Sequence, residues 1–190
     1  RQVKRLMQQR AIDLRLVTEA PCPPHDLALL HEGFHLTYCD VAGLFGSPRA
    51  VTHWNAFYQV MTDKHGLAKR PALEGMSRGG LIIYNWAAAN PDKVACIYAD
   101  TPVCDFKSWP AGQGEGLGSA DAWAQCLKAY GLNEVEALKY DQNPVDKLAA
   151  IAKARIPILH IVSENDRVVP PQENTYLLKQ RLERLGHTIE

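Results

Sequence analysis

The stretch PALEGMSRGGLIIYNWAAANPDK, Pro71 to Lys93, decides the fold. A short apolar run, Pro71–Gly75, reads as a buried strand and reaches a Gly-Met-Ser-Arg-Gly turn, Gly75 to Gly79. The segment Arg78–Pro91 reads as a helix that Asn90 and Pro91 end. In a G-x-S-x-G turn the chain passes sharply from strand to helix, which forces strained dihedrals on the serine and exposes its hydroxyl. Glycines on either side let neighbouring backbone pass close, and Gly79 and Gly80 are expected to face the sheet. Ser77 therefore has two readings, a nucleophile or a small residue in a turn, and the strand before it and helix after it select the nucleophile. The oxyanion donor would be the N–H of Arg78, the residue after the nucleophile.

Outward from this turn, short β-rich runs alternate with helix-like segments, the pattern of a parallel sheet covered by helices. Phe34–Val41 reads as a strand and is followed by a Gly/Ser/Pro loop. Arg49–Gly66 reads as an amphipathic helix, with Val51, Trp54, Phe57, Tyr58 and Met61 at three- and four-residue steps. Val94–Asp100 and Ile156–Glu164 read as two more buried strands, and Pro171–Gly186 as a helix. The final HTIE reads as the opening of another strand. Between the last two full strands lies Thr101–Arg155, a lid-like insertion in a single domain spanning 1–190, with helical stretches at Asp121–Tyr130 and Asn133–Lys139 and a flexible, Gly-rich AGQGEGLG. Insertions at the carboxyl edge of such a sheet build substrate pockets.

A serine nucleophile needs a base and an acid, in this fold in the order Ser, Asp or Glu, His. Asp166 follows the strand ILHIV in the place of the acid, where it would hold the histidine's tautomer and stabilise the imidazolium. Glu164 is its rival, and a loop carboxylate capping the next helix is the plain alternative. Asp100, at the end of the preceding strand, lies on the active edge and is read as shaping the substrate pocket. Trp109, in DFKSWP, reads equally as a substrate-binding wall or as an anchor of the insertion to the core. The Arg78 side chain would dock a substrate carboxylate or, more commonly, pair with a neighbouring acid. No histidine of the chain stands in the place of the base. His160 lies in a buried strand and reads as a hydrogen-bonded core residue, His187 lies at the opposite edge of the sheet, and the other five fall early in the chain. The base is expected after the strand that HTIE opens.

The composition fits this reading and excludes others. Hydrophobic residues make up 46% and charged residues 22%, and 21 basic residues balance 21 acidic ones. That balance points to no nucleic acid and no anionic membrane as partner. No signal peptide or membrane span is visible, so a cytoplasmic protein is expected. Five cysteines at irregular spacing read as free thiols, with one disulfide through Cys104 or Cys126 as the alternative. The chemistry calls for no metal and no organic cofactor.

From about Leu27 to Glu190 the chain resembles the α/β-hydrolase superfamily, most of all a bacterial branch of esterases or carbohydrate-acting hydrolases with a G-x-S-R-G-G elbow. The likeness lies in Gly75–Gly112, Gly33–Pro48 and His53–Leu67. It implies an α/β-hydrolase fold, a mostly parallel sheet with helices on both faces, here shortened at both ends. It also implies Ser77 as nucleophile and Asp166 as acid. The loop expected to supply a second oxyanion donor is VTEAPCPPHD, Val17–Asp26, where Pro21, Pro23 and Pro24 carry no N–H and Ala20 or Cys22 would have to serve. The early strands are expected to shrink to IDLRLVT. The function expected is a serine hydrolase cleaving a small acyl or carbohydrate ester. The alternative is a degenerate, non-catalytic member serving in binding or assembly; a peptidase is the less favoured enzyme reading, as is a dehalogenase, which would want a carboxylate at the elbow where Ser77 stands. An edge strand left unpaired would favour a homodimer.

Overall fold

The structure, a computed structural model, describes residues 24–190. The stretches IDLRLVT and residues 17–23 of the oxyanion loop, with Ala20 and Cys22, lie outside the described residues. The described residues divide into two compact units, one of residues 24–40 and 59–67, the other of residues 41–58 and 68–190.

In the first unit, α1 (Pro24–His31) begins on proline and carries Asp26 in its first turn and His31 in its last, as the helix dipole favours. It ends at Gly33, φ +88°, with the Phe34 N–H donating to Leu29 O at 3.0 Å. The stretch read as a strand, Phe34–Val41, is irregular instead. A strand exists through its ladder, and no described strand pairs with this one. Its large side chains stay outside, Phe34 at 61% and Tyr38 at 71% exposure. Residues Val60–Lys64 of this unit form a π-helical turn, and Gly66 follows at φ +62°.

The second unit carries the sheet. Three parallel strands, β1 (Ala72–Met76), β2 (Cys96–Asp100) and β3 (Ile158–Ile161), lie in that order. Helix α2 (Pro48–Gln59) precedes them and α3 (Gly79–Ala89) joins β1 to β2. Helices α4 (Ala120–Tyr130), α5 (Glu134–Leu138) and α6 (Ala149–Lys153) lie between β2 and β3, and α7 (Thr175–Arg184) follows β3. The last residues start one more parallel pairing: the Glu190 N–H donates to Ile158 O and the His160 N–H to Glu190 O. The stretch HTIE, read as opening a strand, is not itself a strand over 187–190, and the pairing rests on Glu190 alone.

Strands added in sequence order by right-handed crossovers bring their helices to one face of the sheet. The register shows which. Leu73, Ile97 and Ile158 form one buried row, and Gly75, Ala99 and His160 the next, beneath α3. The alternate residues point the other way, and among them Met76 is 69% exposed and Ile161 48%. The strands read as fully buried are covered on one face only among the described residues.

Helix α3 is apolar all round and buried, with Leu81, Ile83 and Tyr84 at 0% exposure, the pattern of a core helix. Two glycines let it lie this deep. A Cβ at Gly75 would sit 2.8 Å from Ile83 Cδ1, and one at Gly80 would sit 2.6 Å from Val103 O and 2.7 Å from Pro102 Cβ. Gly79, read as equally confined, has open space around it. Gly80→Ala is therefore expected to destabilise the fold by about 1–3 kcal/mol through overpacking against backbone. Gly79→Ala should change stability by less than about 1 kcal/mol. Thermal unfolding of the two variants side by side checks the contrast.

Candidate active site

Ser77 stands at the carboxyl end of β1 with φ +51°, a left-handed conformation that a serine adopts only under constraint. The constraint is visible in the backbone. The Ser77 N–H donates to Asp100 O at 2.9 Å, and Ser77 O accepts from Gly80 N at 3.0 Å and from Val103 N at 2.9 Å. Strand β2, the helix and the chain leaving β2 thus over-determine one residue. The Arg78 N–H, first after the serine, has no acceptor among the described residues. Thr101, directly after β2, is also left-handed at φ +42°, and its N–H donates to Ile161 O at 2.8 Å. The carboxyl ends of all three strands are so tied together. Asp100 lies there half-buried, its carbonyl holding Ser77.

Asp166 lies in the loop after β3, on the same carboxyl edge. Its Oδ1 accepts the N–H groups of Val168 at 2.8 Å and Val169 at 2.9 Å, while Oδ2 has no partner among the described residues. One oxygen is anchored and the other is left for a donor. It does not cap α7, whose first residue is Thr175. The rival Glu164 is exposed and accepts from the Tyr176 hydroxyl.

The Asp166 loop is clamped by the glycine-rich segment read as flexible. The Leu117 N–H donates to Arg167 O at 2.6 Å, and a Cβ at Gly116 would lie 2.7 Å from Pro170 Cδ. Glu173 holds the same segment, accepting from the Glu115 N–H at 2.5 Å and from the Ser108 hydroxyl at 2.6 Å. Asn174, fully buried, ties the insertion's start down: its Oδ1 accepts from Cys104 N at 2.8 Å and its Nδ2 donates to Pro170 O at 3.0 Å. These glycines serve close packing rather than mobility.

The insertion is a packed layer. Phe106 is its hub, with Tyr130, Tyr140 and Trp123 ring centroids 5.0, 5.1 and 5.9 Å away. Its cluster is continuous with Leu81 of the elbow helix and with Phe45. Trp109 is half-buried, packs against this cluster and stacks on Phe45 at 6.2 Å, the contacts of an anchor. Phe45, whose ring lies beneath the Arg78 guanidinium, is a residue that the sequence reading missed. Its loop was read only as a Gly/Ser/Pro connection, although a large apolar residue between glycines marked it.

The described cysteines, Cys39, Cys96, Cys104 and Cys126, are all free thiols. Burial pushes the Cys126 thiol up to about 12 and Cys104 higher still, so neither supplies a thiolate nucleophile at neutral pH.

His160 is the core histidine the strand position implied. It is 7% exposed, Nε2 meets the Tyr84 hydroxyl at 2.5 Å and Nδ1 meets Thr175 Oγ1 at 2.9 Å. His187 lies 2.7 Å from Ile156 O through Nε2. No histidine hydrogen-bonds Ser77 or Asp166 among the described residues. Burial lowers the His160 pKa from 6.5 to about 4. A histidine depressed in the folded state takes its proton more readily when unfolded, so its stabilising contribution is full above pH 6.5 and is lost as pH falls towards 4. Denaturant unfolding at pH 7 and pH 4 is expected to show a steeper loss of stability in the unaltered protein than in His160→Gln, by about 3 kcal/mol.

A strained serine between a parallel strand and a buried helix, with Asp166 in a loop two strands further on, is the arrangement of an α/β-hydrolase fold. The family is more specific: the prolyl oligopeptidase family profile matches residues 55–190, well over half the chain, and the protein belongs to that family. No curated protein matches the chain. Among solved structures it is similar to a puromycin-hydrolyzing peptidase of Mycobacterium tuberculosis, at 20% identity over 77% of this chain, TM-score 0.59. It is also similar to a puromycin hydrolase at 22% identity over 74%, TM-score 0.57, and to a puromycin hydrolase variant complexed with PGG at 21% over 70%, TM-score 0.54. The chain spans about one fifth of the length of these structures, 19% to 21%. No described helix is long and apolar enough to cross a membrane.

Proposed function

We propose that the protein is a serine hydrolase that cleaves the acyl bond of a small ester or amide. The observation that carries this is the left-handed Ser77, held by three backbone hydrogen bonds at the carboxyl edge of the sheet. In the proposed mechanism Ser77 Oγ attacks the carbonyl carbon as a histidine takes the hydroxyl proton. The tetrahedral oxyanion is stabilised by the Arg78 N–H. The leaving alcohol or amine departs with the proton the imidazolium returns, and water then hydrolyses the acyl-enzyme by the same steps. Asp166 Oδ2 would accept the Nδ1–H of that histidine, whose place in this fold is the loop after the next strand of the sheet.

Two substrate readings stem from different observations. The G-x-S-R-G-G elbow motivates the small acyl or carbohydrate ester. Membership of the prolyl oligopeptidase family, with likeness to puromycin hydrolases, supports an amide or short peptide. Both use the same carbonyl chemistry. Assay of the full-length protein on a chromogenic acetate ester and on an aminoacyl anilide separates them. Turnover of either supports the proposal and the ratio selects the reading. Absence of turnover on both would favour the non-catalytic alternative, a binding or assembly role for the fold. Asp100 is proposed to shape the substrate pocket, and Trp109 to support its wall through Phe45.

A further inference from the structure

We propose that Arg78 determines specificity: its guanidinium docks a carboxylate carried by the substrate a few bonds from the scissile carbonyl. The inference rests on Ser77 being the nucleophile and names the substrate class of that site, an anionic ester or amide.

Arg78 directly follows Ser77 and its side chain is exposed. The ordinary fate of such a residue is an ion pair, yet no carboxylate pairs with it among the described residues. Its guanidinium carbon lies over the ring of Phe45, 5.7 Å from the centroid. A cation over an aromatic face is held by the ring quadrupole while its N–H groups remain for an acceptor. The planar fork matches a carboxylate with two parallel hydrogen bonds.

The platform under this cation is rigid. Phe45 is 1% exposed and stacks on Trp109 with an interplanar angle of 28°. The Tyr130 hydroxyl donates to Phe45 O at 2.9 Å, and Asn85 Nδ2 donates to Gly46 O at 2.8 Å. Gly46, φ +67°, lies so close to the elbow helix that a Cβ would stand 2.5 Å from the Leu81 carbonyl carbon. The helix that begins behind Ser77 therefore also fixes the ring that holds Arg78, and the cation keeps its place relative to the nucleophile without an acid. With 21 basic and 21 acidic residues the chain as a whole offers no net field to an anion. Any preference for a negative substrate has to be local.

The test uses binding, so that it stands apart from turnover. Full-length protein carrying Ser77→Ala is titrated calorimetrically with N-phenylglutaramic acid and with N-phenylvaleramide, which has a methyl group in place of the carboxylate. The acid is expected to bind roughly ten- to hundredfold more tightly. Adding Arg78→Gln should abolish that ratio, Arg78→Lys should keep part of it, and Phe45→Leu should reduce it. Equal affinity for the two ligands, no measurable binding of either, or a ratio that survives Arg78→Gln overturns the proposal. If the unaltered protein hydrolyses no ester or amide while this ratio holds, the serine-hydrolase reading fails and the anion site stands.

Discussion

Replacing Ser77 by alanine is expected to lower kcat for ester or amide hydrolysis by about 10⁴- to 10⁶-fold while leaving the protein folded. Alanine keeps the Cβ and inherits the same left-handed backbone, φ +51°, so the strain is unchanged. The three backbone hydrogen bonds that fix the residue involve its N–H and carbonyl, neither of which the substitution touches. Circular dichroism and thermal unfolding should therefore match the unaltered protein to within about 1 kcal/mol. A variant that loses activity and stability together would mean that Ser77 acts as a turn residue.

Asp166→Asn should cost about 10⁴-fold in kcat at neutral pH. The structure makes this a clean substitution. Asparagine Oδ1 can still accept the Val168 and Val169 N–H groups, so the loop keeps its shape. What changes is the outward atom, where an amide donor replaces the carboxylate oxygen that would accept the histidine's Nδ1–H. The histidine is then held in the wrong tautomer and cannot take the serine proton. Asp166→Ala removes both loop hydrogen bonds as well, and should add about 1–3 kcal/mol of destabilisation. Steady-state kinetics and denaturant unfolding on the two variants separate the chemical role from the structural one. Activity unchanged in Asp166→Asn would return the role to Glu164.

The elbow was the most legible part of the chain because its code is local. An apolar run, glycines at fixed offsets and a helix with no polar face are all written within Pro71–Ala89, and the structure has them within a residue or two. The alternation that followed placed β2, β3 and α7 correctly for the same reason. Non-local features were harder. Phe34–Val41 has the β-rich composition of a strand, yet composition says nothing about the partner a ladder needs. AGQGEGLG has the composition of a flexible linker, yet Gly114 and Gly116 are small because Glu173 and Pro170 approach them from distant parts of the sequence. Gly79 and Gly80 are neighbours in one motif, and only the path of Val103 distinguishes them. In the sequence Trp109 reads equally as wall or anchor, because Phe45, the ring that stacks on it, comes from a loop 64 positions away.

Whether Ser77 is an activated nucleophile decides the mechanism, and a fluorophosphonate reads that directly, since it bonds covalently far faster to a serine whose proton is taken by a neighbouring base. Full-length protein treated with the probe and digested for mass spectrometry is predicted to carry one adduct, on the peptide containing Gly-Met-Ser77-Arg-Gly. The adduct should be absent in Ser77→Ala and form far more slowly in Asp166→Asn. A protein that stays unlabelled, or that carries its adduct on another residue, would contradict the account.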